Sequence, residues 1–111
     1  MTTFDEYARE AARTENTRLT DAERLMDAAA GLAEEGGEVL ALVRKHLYQG
    51  HPLDRERVAK ELGDTLWCMA TVARSVGLSL DEIATGNLAK LRRRYPEGYS
   101  DEASRFREDG G

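Results

Sequence analysis

Apolar residues recur at every third or fourth position along most of the chain, and no stretch alternates strictly. That period predicts helices and no strands. The first helix opens on Thr3-Phe4-Asp5-Glu6, which has the form of a capping box. It runs to about Thr14, with Phe4, Tyr7, Ala8 and Ala11 on its inner face. A polar connection leads to a second box, Thr20-Asp21-Ala22-Glu23, and a long helix to about Tyr48. Gly50 and Pro52 make a turn. Asp54 then caps a helix that runs to Val76 and stops at Gly77. A third box, Ser79-Leu80-Asp81-Glu82, opens a last helix to Arg94, closed by Pro96. Residues 97–111 are acidic, turn-rich and glycine-ended, and are expected to be partly extended or disordered. The prediction is an all-α, four-helix bundle over residues 1–96 with a tail over 97–111.

The two long helices carry the candidate chemistry. One apolar stripe runs through Leu25, Ala29, Leu32, Gly36, Val39, Val43 and Leu47, and another through Val58, Leu62, Thr65, Met69, Ala73 and Val76. Glu35 and Glu38 lie to one side of the first stripe. Glu61 and Asp64 lie to the same rotational side of the second. Residues three apart share a helix face, so each pair forms a two-carboxylate face. A short connection forces the helices antiparallel, and equal offsets then point out of the same side of the pair. The four carboxylates converge about 15 Å from the turn, at ~1.5 Å rise per residue. Either pair alone reads as a solvated acidic face. Four converging carboxylates repel unless a cation joins them, and oxygen-only ligation suits Mg²⁺, Mn²⁺ or Ca²⁺. Gly36, Gly37 and Gly63 cost helix propensity and are expected to let helices or a ligand approach closely.

Composition narrows the class. The chain has 111 residues, a net charge of −5, 33% charged residues and 6% aromatics. That supports one helical domain and argues against non-specific binding to nucleic acid or membranes. A lone cysteine, Cys68, reads as a small buried hydrophobe and excludes a disulfide framework within one chain. Without a signal peptide or a long apolar run, a cytoplasmic location is expected.

In the last helix Asn87 falls within the apolar stripe. It either fixes helix packing through hydrogen bonds or reads the polar edge of a ligand. Lys90 and Arg94 follow on nearly the same face, inside the basic block Lys90-Leu91-Arg92-Arg93-Arg94. Such a block is favourable at a helix C-terminus and would also clamp phosphate. Arg57, one turn before Glu61, could join that clamp. Trp67 points away from its stripe, which suggests an interface or a pocket wall and hence a homo-oligomer. His46 and His51 flank the turn and read as surface residues.

Three segments in this order resemble the MazG-like nucleotide pyrophosphohydrolases. They are Gly31-Leu32-Ala33-Glu34-Glu35-Gly36-Gly37-Glu38-Val39, then Glu61-Leu62-Gly63-Asp64-Thr65-Leu66-Trp67, then Asn87-Leu88-Ala89-Lys90-Leu91 with Arg94-Tyr95-Pro96. The resemblance spans roughly residues 20–107. It implies an all-α, Mg²⁺-dependent enzyme that splits nucleoside triphosphates between the α and β phosphates, and relatives that assemble as homodimers or homotetramers. It implies Glu35, Glu38, Glu61 and Asp64 as metal ligands, with Glu34 matching the leading glutamate of the first motif. Glu34 or Glu38 would orient the attacking water. Asn87, Lys90 and Arg94 match positions that contact nucleotide in relatives. A related helical family, the phosphoribosyl-ATP pyrophosphohydrolases, shares similar acidic motifs. A different class is a non-catalytic, metal-dependent helical interaction module. The preferred base and sugar stay open.

Overall fold

The computed structural model describes residues 1–106, and all regular structure there is helical. The helices are α1 (Phe4–Ala12), α2 (Asp21–Gln49), α3 (Arg55–Ser75), α4 (Leu80–Arg94) and α5 (Asp101–Arg105). No helix among these residues is long and apolar enough to cross a membrane. One compact unit is Met1–Ser79, with α1 to α3; a second starts at Leu80 and holds α4 and α5.

Local chemistry accounts for the helix ends of the first unit. The Thr20 hydroxyl accepts from the Glu23 amide at 3.1 Å, and the Glu23 carboxylate accepts from the Thr20 amide at 2.9 Å. This reciprocal box satisfies two amide groups that a helix start leaves without partners. At α1 only half of the box forms. Thr3 accepts from the Glu6 amide, but the Glu6 carboxylate receives the Thr2 hydroxyl instead. Asp54 caps α3 by accepting from the amides of Glu56 and Arg57. Gly50, at φ 71°, ends α2 in the left-handed conformation that glycine adopts without strain.

Packing in this unit is mainly α2 against α3, then α1 against α3. The register of α2 on α3 follows from which residues meet. Arg24 shares a cleft with Arg74 and Ser75. Gly31 lies against Cys68. Glu35 meets Glu61 and Asp64. Leu42 and Lys45 share a cleft with Asp54 and Arg57. One number climbs as the other falls, so the two helices run antiparallel.

The packed face of α2 differs from the expected stripe. Leu25, Leu32 and Val39 are at least half-buried, as expected, but Ala29, Gly36, Val43 and Leu47 are exposed. Their places in the packed face are taken by Arg24, Ala28, Gly31, Glu35 and Leu42. At 100° per residue this face is rotated by about 70° from the predicted one, toward the carboxylates. Glu35 therefore lies within the α2–α3 contact rather than beside it.

On α3 the polar side chains in the contact are satisfied by their own helix. Thr65 donates to the Glu61 carbonyl at 2.8 Å, Thr71 to Trp67 at 3.1 Å and Ser75 to Thr71 at 2.8 Å. That removes the cost of burying Thr71, which is 6% exposed.

α1 closes over a different side of α3. The Trp67 indole donates to the Thr14 hydroxyl at 2.8 Å, and Arg74 pairs with Glu15 at 2.8 Å. Trp67 is thus half-buried beside the end of α1. The expected role at an interface or a pocket wall is not decided by this contact, but pattern alone does not reveal that the end of α1 lies against Trp67.

In the second unit the chain turns after α4 at Gly98, where φ is 88°. The Tyr95 and Tyr99 rings stack at a tilt, centroids 5.6 Å apart. Ser100 caps α5 through the Ala103 amide. Sequence pattern gave four helices; this fifth one lies where an extended or disordered tail was expected, and residues 107–111 of that tail fall outside the described residues. Asn87 also departs from expectation. It is exposed rather than buried, on a helix whose Ile83, Leu88 and Leu91 are themselves exposed.

Candidate metal centre

Three carboxylates converge between α2 and α3. Each of Glu35, Glu61 and Asp64 places an oxygen within 4.8 Å of the others. Glu35 and Glu61 are half-buried and Asp64 is exposed, so the cluster opens at its Asp64 side. The reason lies in the register. Glu61 and Asp64 are one turn apart on α3, and antiparallel packing sets Glu35 of α2 against both.

The electrostatics carry the mark of that crowding. The Glu35 carboxyl is pushed up from 4.5 to about 7. The largest cause is a hydrogen bond with Glu61, which only a protonated Glu35 can donate. Desolvation adds to it, followed by the charges of Glu61, Asp64 and Glu38. Carboxylates this close share a proton or a cation. A divalent ion would take the place of the proton, and an all-oxygen donor set suits a hard cation. The residues present therefore fit such an ion.

The other predicted residues are placed less centrally. Glu38 is exposed. Its charge reaches Glu35, but it is not among the three carboxylates that gather within 4.8 Å. Glu34 is exposed and lies near enough to Cys68 to raise its thiol pKa. Arg57 lines a cleft of about 270 Å³ with Lys45, His51 and Asp54, at the connection end of the α2–α3 pair. Asn87, Lys90 and Arg94 stand on α4 in the second unit, Asn87 exposed and the two cations half-buried.

Two features beside the cluster escaped the sequence reading. The first is a close contact one turn from the carboxylates. A Cβ built on Gly31 would lie 2.8 Å from the Cys68 sulfur, closer than side chains tolerate. Gly31 is one turn from Glu35, and Cys68 one turn from Asp64. This is the glycine at which α2 and α3 approach, whereas a Cβ on Gly36, Gly37 or Gly63 would meet nothing within 4 Å. Of the expected approach of helices or a ligand at those three, the helix approach within the chain is not found. A search for small residues one turn from each acidic pair would have flagged Gly31 beside Cys68.

The second is Tyr7 of α1. Its phenol is raised by burial first, then by the charges of Asp64 and Cys68. The amphipathic pattern put Tyr7 on the inner face of α1, but only the packing of α1 on α3 brings it beside the acidic cluster. The Cys68 thiol is raised by burial and then by Glu35, Asp64, Asp27 and Glu34.

Comparison with known families adds one finding. The family model described as MazG nucleotide pyrophosphohydrolase domain matches residues 24–99, most of the chain. Neither the curated proteins nor the solved structures yield a match.

Proposed function

The chain belongs to the MazG nucleotide pyrophosphohydrolase domain family, and on that premise we propose that it is a Mg²⁺-dependent nucleoside triphosphate pyrophosphohydrolase. It would cleave ribo- or deoxyribonucleoside triphosphates between the α and β phosphates, giving a monophosphate and pyrophosphate. The observation that carries this reading is the cluster of Glu35, Glu61 and Asp64, crowded enough to hold Glu35 near neutrality.

In this reading Glu35, Glu61 and Asp64 hold the ion, with Glu38 completing the set. Mg²⁺ suits the donors, and Mn²⁺ shares their chemistry. When bound, the ion supplies positive charge that neutralises phosphate oxygens. The chain's own groups do the rest. Glu34 or Glu38 accepts a proton from the attacking water and aims it at the α phosphorus. Lys90, Arg94 and Arg57 steady the charge that builds on departing pyrophosphate. Asn87 both donates and accepts, so it suits a base or sugar edge, while the Lys90 ammonium suits phosphate. Its exposure leaves the Asn87 amide accessible to a ligand. The catalytic module is assigned to residues 1–96.

Incubation with a panel of NTPs, dNTPs and phosphoribosyl-ATP, with and without Mg²⁺, tests the proposal by detecting released pyrophosphate. Pyrophosphate from several triphosphates only when Mg²⁺ is present is the expected result. Turnover of phosphoribosyl-ATP alone would reassign the chain to that related activity. Metal binding with no turnover of any nucleotide would leave a metal-dependent interaction module.

A further inference from the structure

α1 stands outside the segment that the family model matches, which begins at residue 24. It is nevertheless built onto α3. The Trp67 indole donates to Thr14 and Arg74 pairs with Glu15, each at 2.8 Å. Tyr7 lies two turns before Thr14 on the same side of α1, about 10 Å along the axis. The packing brings its ring over α3, where it is half-buried. Burial and then the charges of Asp64 and Cys68 act on its phenol. The carboxylate cluster is open on the side of Asp64. The Tyr7 hydroxyl therefore stands at the mouth of the metal site, and among the described residues it has no hydrogen-bond partner.

The groove below it has two unlike ends. Arg57, Glu61, Asp64 and Cys68 share one face of α3, and from residue 57 to residue 68 that face runs about 16 Å. At the connection end Lys45 and Arg57 share the cleft of about 270 Å³. Asp54, the carboxylate in that cleft, is occupied by the amides of Glu56 and Arg57. At the α1 end the charges that act on Cys68 are those of Glu35, Asp64, Asp27 and Glu34, all acidic. The arginines beyond it, Arg24 and Arg74, are held by Asp21 and Glu15. A nucleoside triphosphate is charged at one end and neutral at the other. Its β and γ phosphates are attracted to the cations and repelled by the acidic end.

We infer that the Tyr7 hydroxyl reads the nucleoside of the substrate, which lies along the α2–α3 groove with its nucleoside toward α1 and its phosphate chain toward Lys45 and Arg57. The inference rests on the proposed hydrolase reading and adds to it a direction for the substrate and a residue from outside the matched segment. A phenol both donates and accepts, so it suits a sugar hydroxyl or a base edge. It carries no charge at neutral pH, and the nucleoside brings none to the acidic end. The cations that meet the departing pyrophosphate are then the ones at the connection end, with the ion between the two.

Calorimetric titration of the full chain with Mg²⁺ tests the two ends separately. The probes are inorganic tripolyphosphate and a panel of α,β-imido ribo- and deoxyribonucleoside triphosphates, which resist cleavage at that bond. Tyr7→Phe keeps the ring against α3 and removes only the hydroxyl. It should change the ratios of dissociation constants among the analogues by about fivefold, the scale of one hydrogen bond. Its affinity for tripolyphosphate should stay within about twofold of the parent. Lys45→Ala should weaken tripolyphosphate and every analogue together, by about threefold to fivefold, with their ranking unchanged. Circular dichroism checks that both variants keep the parent's helix content. An unchanged ranking in Tyr7→Phe, or an equal loss for tripolyphosphate and the analogues, overturns the assignment and returns Tyr7 to packing alone. Tripolyphosphate affinity untouched by Lys45→Ala overturns the direction, and a parent that binds no analogue overturns the inference outright. Pyrophosphate release from cleavable triphosphates is read apart from these titrations. A parent that binds the analogues with these preferences and releases none overturns the hydrolase reading alone.

Discussion

The two long faces of α2 differ in what they are made to meet. The face toward α3 carries Ala28, Gly31 and Glu35 and mixes small residues with a carboxylate. The face away from α3 is almost purely apolar and is exposed along its whole length. The packed face also holds Leu25, Leu32, Val39 and Leu42, as a packing face normally does. On the packed face Glu35 meets Glu61 and Asp64, and the hydrogen bond with Glu61, then burial and the neighbouring charges, raise its carboxyl. α2 therefore presents two unlike faces, one that gathers carboxylates with α3 and one that stays apolar and exposed.

The largest effect should come from breaking the packed face at its charge. Glu61→Ala removes a carboxylate and the group whose hydrogen bond does most to raise Glu35. It should lower kcat/KM for triphosphates by at least about 100-fold, since even residues that support metal ligands cost 10–100-fold. The metal-free protein should melt no lower than the parent, because like-charge crowding is relieved. Kinetics with a melting curve on the same preparation check both. Full activity in Glu61→Ala would return the cluster to the status of a solvated acidic face.

Gly31→Ala should act next, without touching a carboxylate. The added methyl would lie 2.8 Å from the Cys68 sulfur, so α2 and α3 must separate or shift. Overpacking of this kind costs about 1–3 kcal/mol of stability. The shift falls one turn from Glu35 and Asp64, so Mn²⁺ affinity measured by titration should drop as well. Adding Cys68→Ala makes room for the methyl and should recover most of the affinity. If the double variant binds metal no better than Gly31→Ala, the contact does not set the spacing of the cluster.

How legible this was depends on the kind of signal. The ends of α2, α3 and α4 could be read within a residue, because Thr20, Asp54 and Gly50 act through contacts within a few residues of the chain. The convergence of Glu35, Glu61 and Asp64 was legible too, since a short connection permits only an antiparallel pair. The rotation of α2 was not. Ala22 to Leu47 holds enough apolar residues for two faces, and period alone cannot say which one α3 takes. The reading chose a stripe between them. The contact over Trp67 and the nearness of Tyr7 to Asp64 were not legible, for a related reason. Their neighbours come from α1, more than fifty residues away from Trp67 in the chain, and no local pattern encodes that contact. Asn87 was placed in a core because α4 has an apolar stripe, but that stripe is exposed in the single chain.

A pH series should act on the packed face more gently. Glu35 titrates near 7 in the folded, metal-free protein and near 4.5 when unfolded. Between those values the folded state holds a proton that the unfolded state has lost. Stability of the metal-free protein should therefore be greatest below about pH 4.5, as far as this group is concerned, and fall as pH rises through 7. Mg²⁺ competes with that proton, so its affinity should rise over the same window. Melting temperatures and metal titrations between pH 5 and 8 provide the check. A metal-free melting curve flat over this range would mean that Glu35 does not share a proton with Glu61.

The smallest expected effect concerns neither face of α2. Trp67→Phe keeps an aromatic ring against α1 but deletes the indole bond to Thr14. An intramolecular hydrogen bond contributes about 0.5–1.5 kcal/mol net, and the freed Thr14 hydroxyl can turn to water, which favours the low end. Arg74→Met, which breaks the pair with Glu15, should cost about 0–1 kcal/mol, because Arg74 is 59% exposed and solvent screens the pair. If α1 serves only to cover α3, both variants should show slightly lower denaturant midpoints with unchanged Mn²⁺ affinity. A tenfold fall in metal affinity from Trp67→Phe would say otherwise. It would mean that the docking of α1 places Tyr7 beside Asp64 for a purpose, and the metal face would then belong to three helices rather than two.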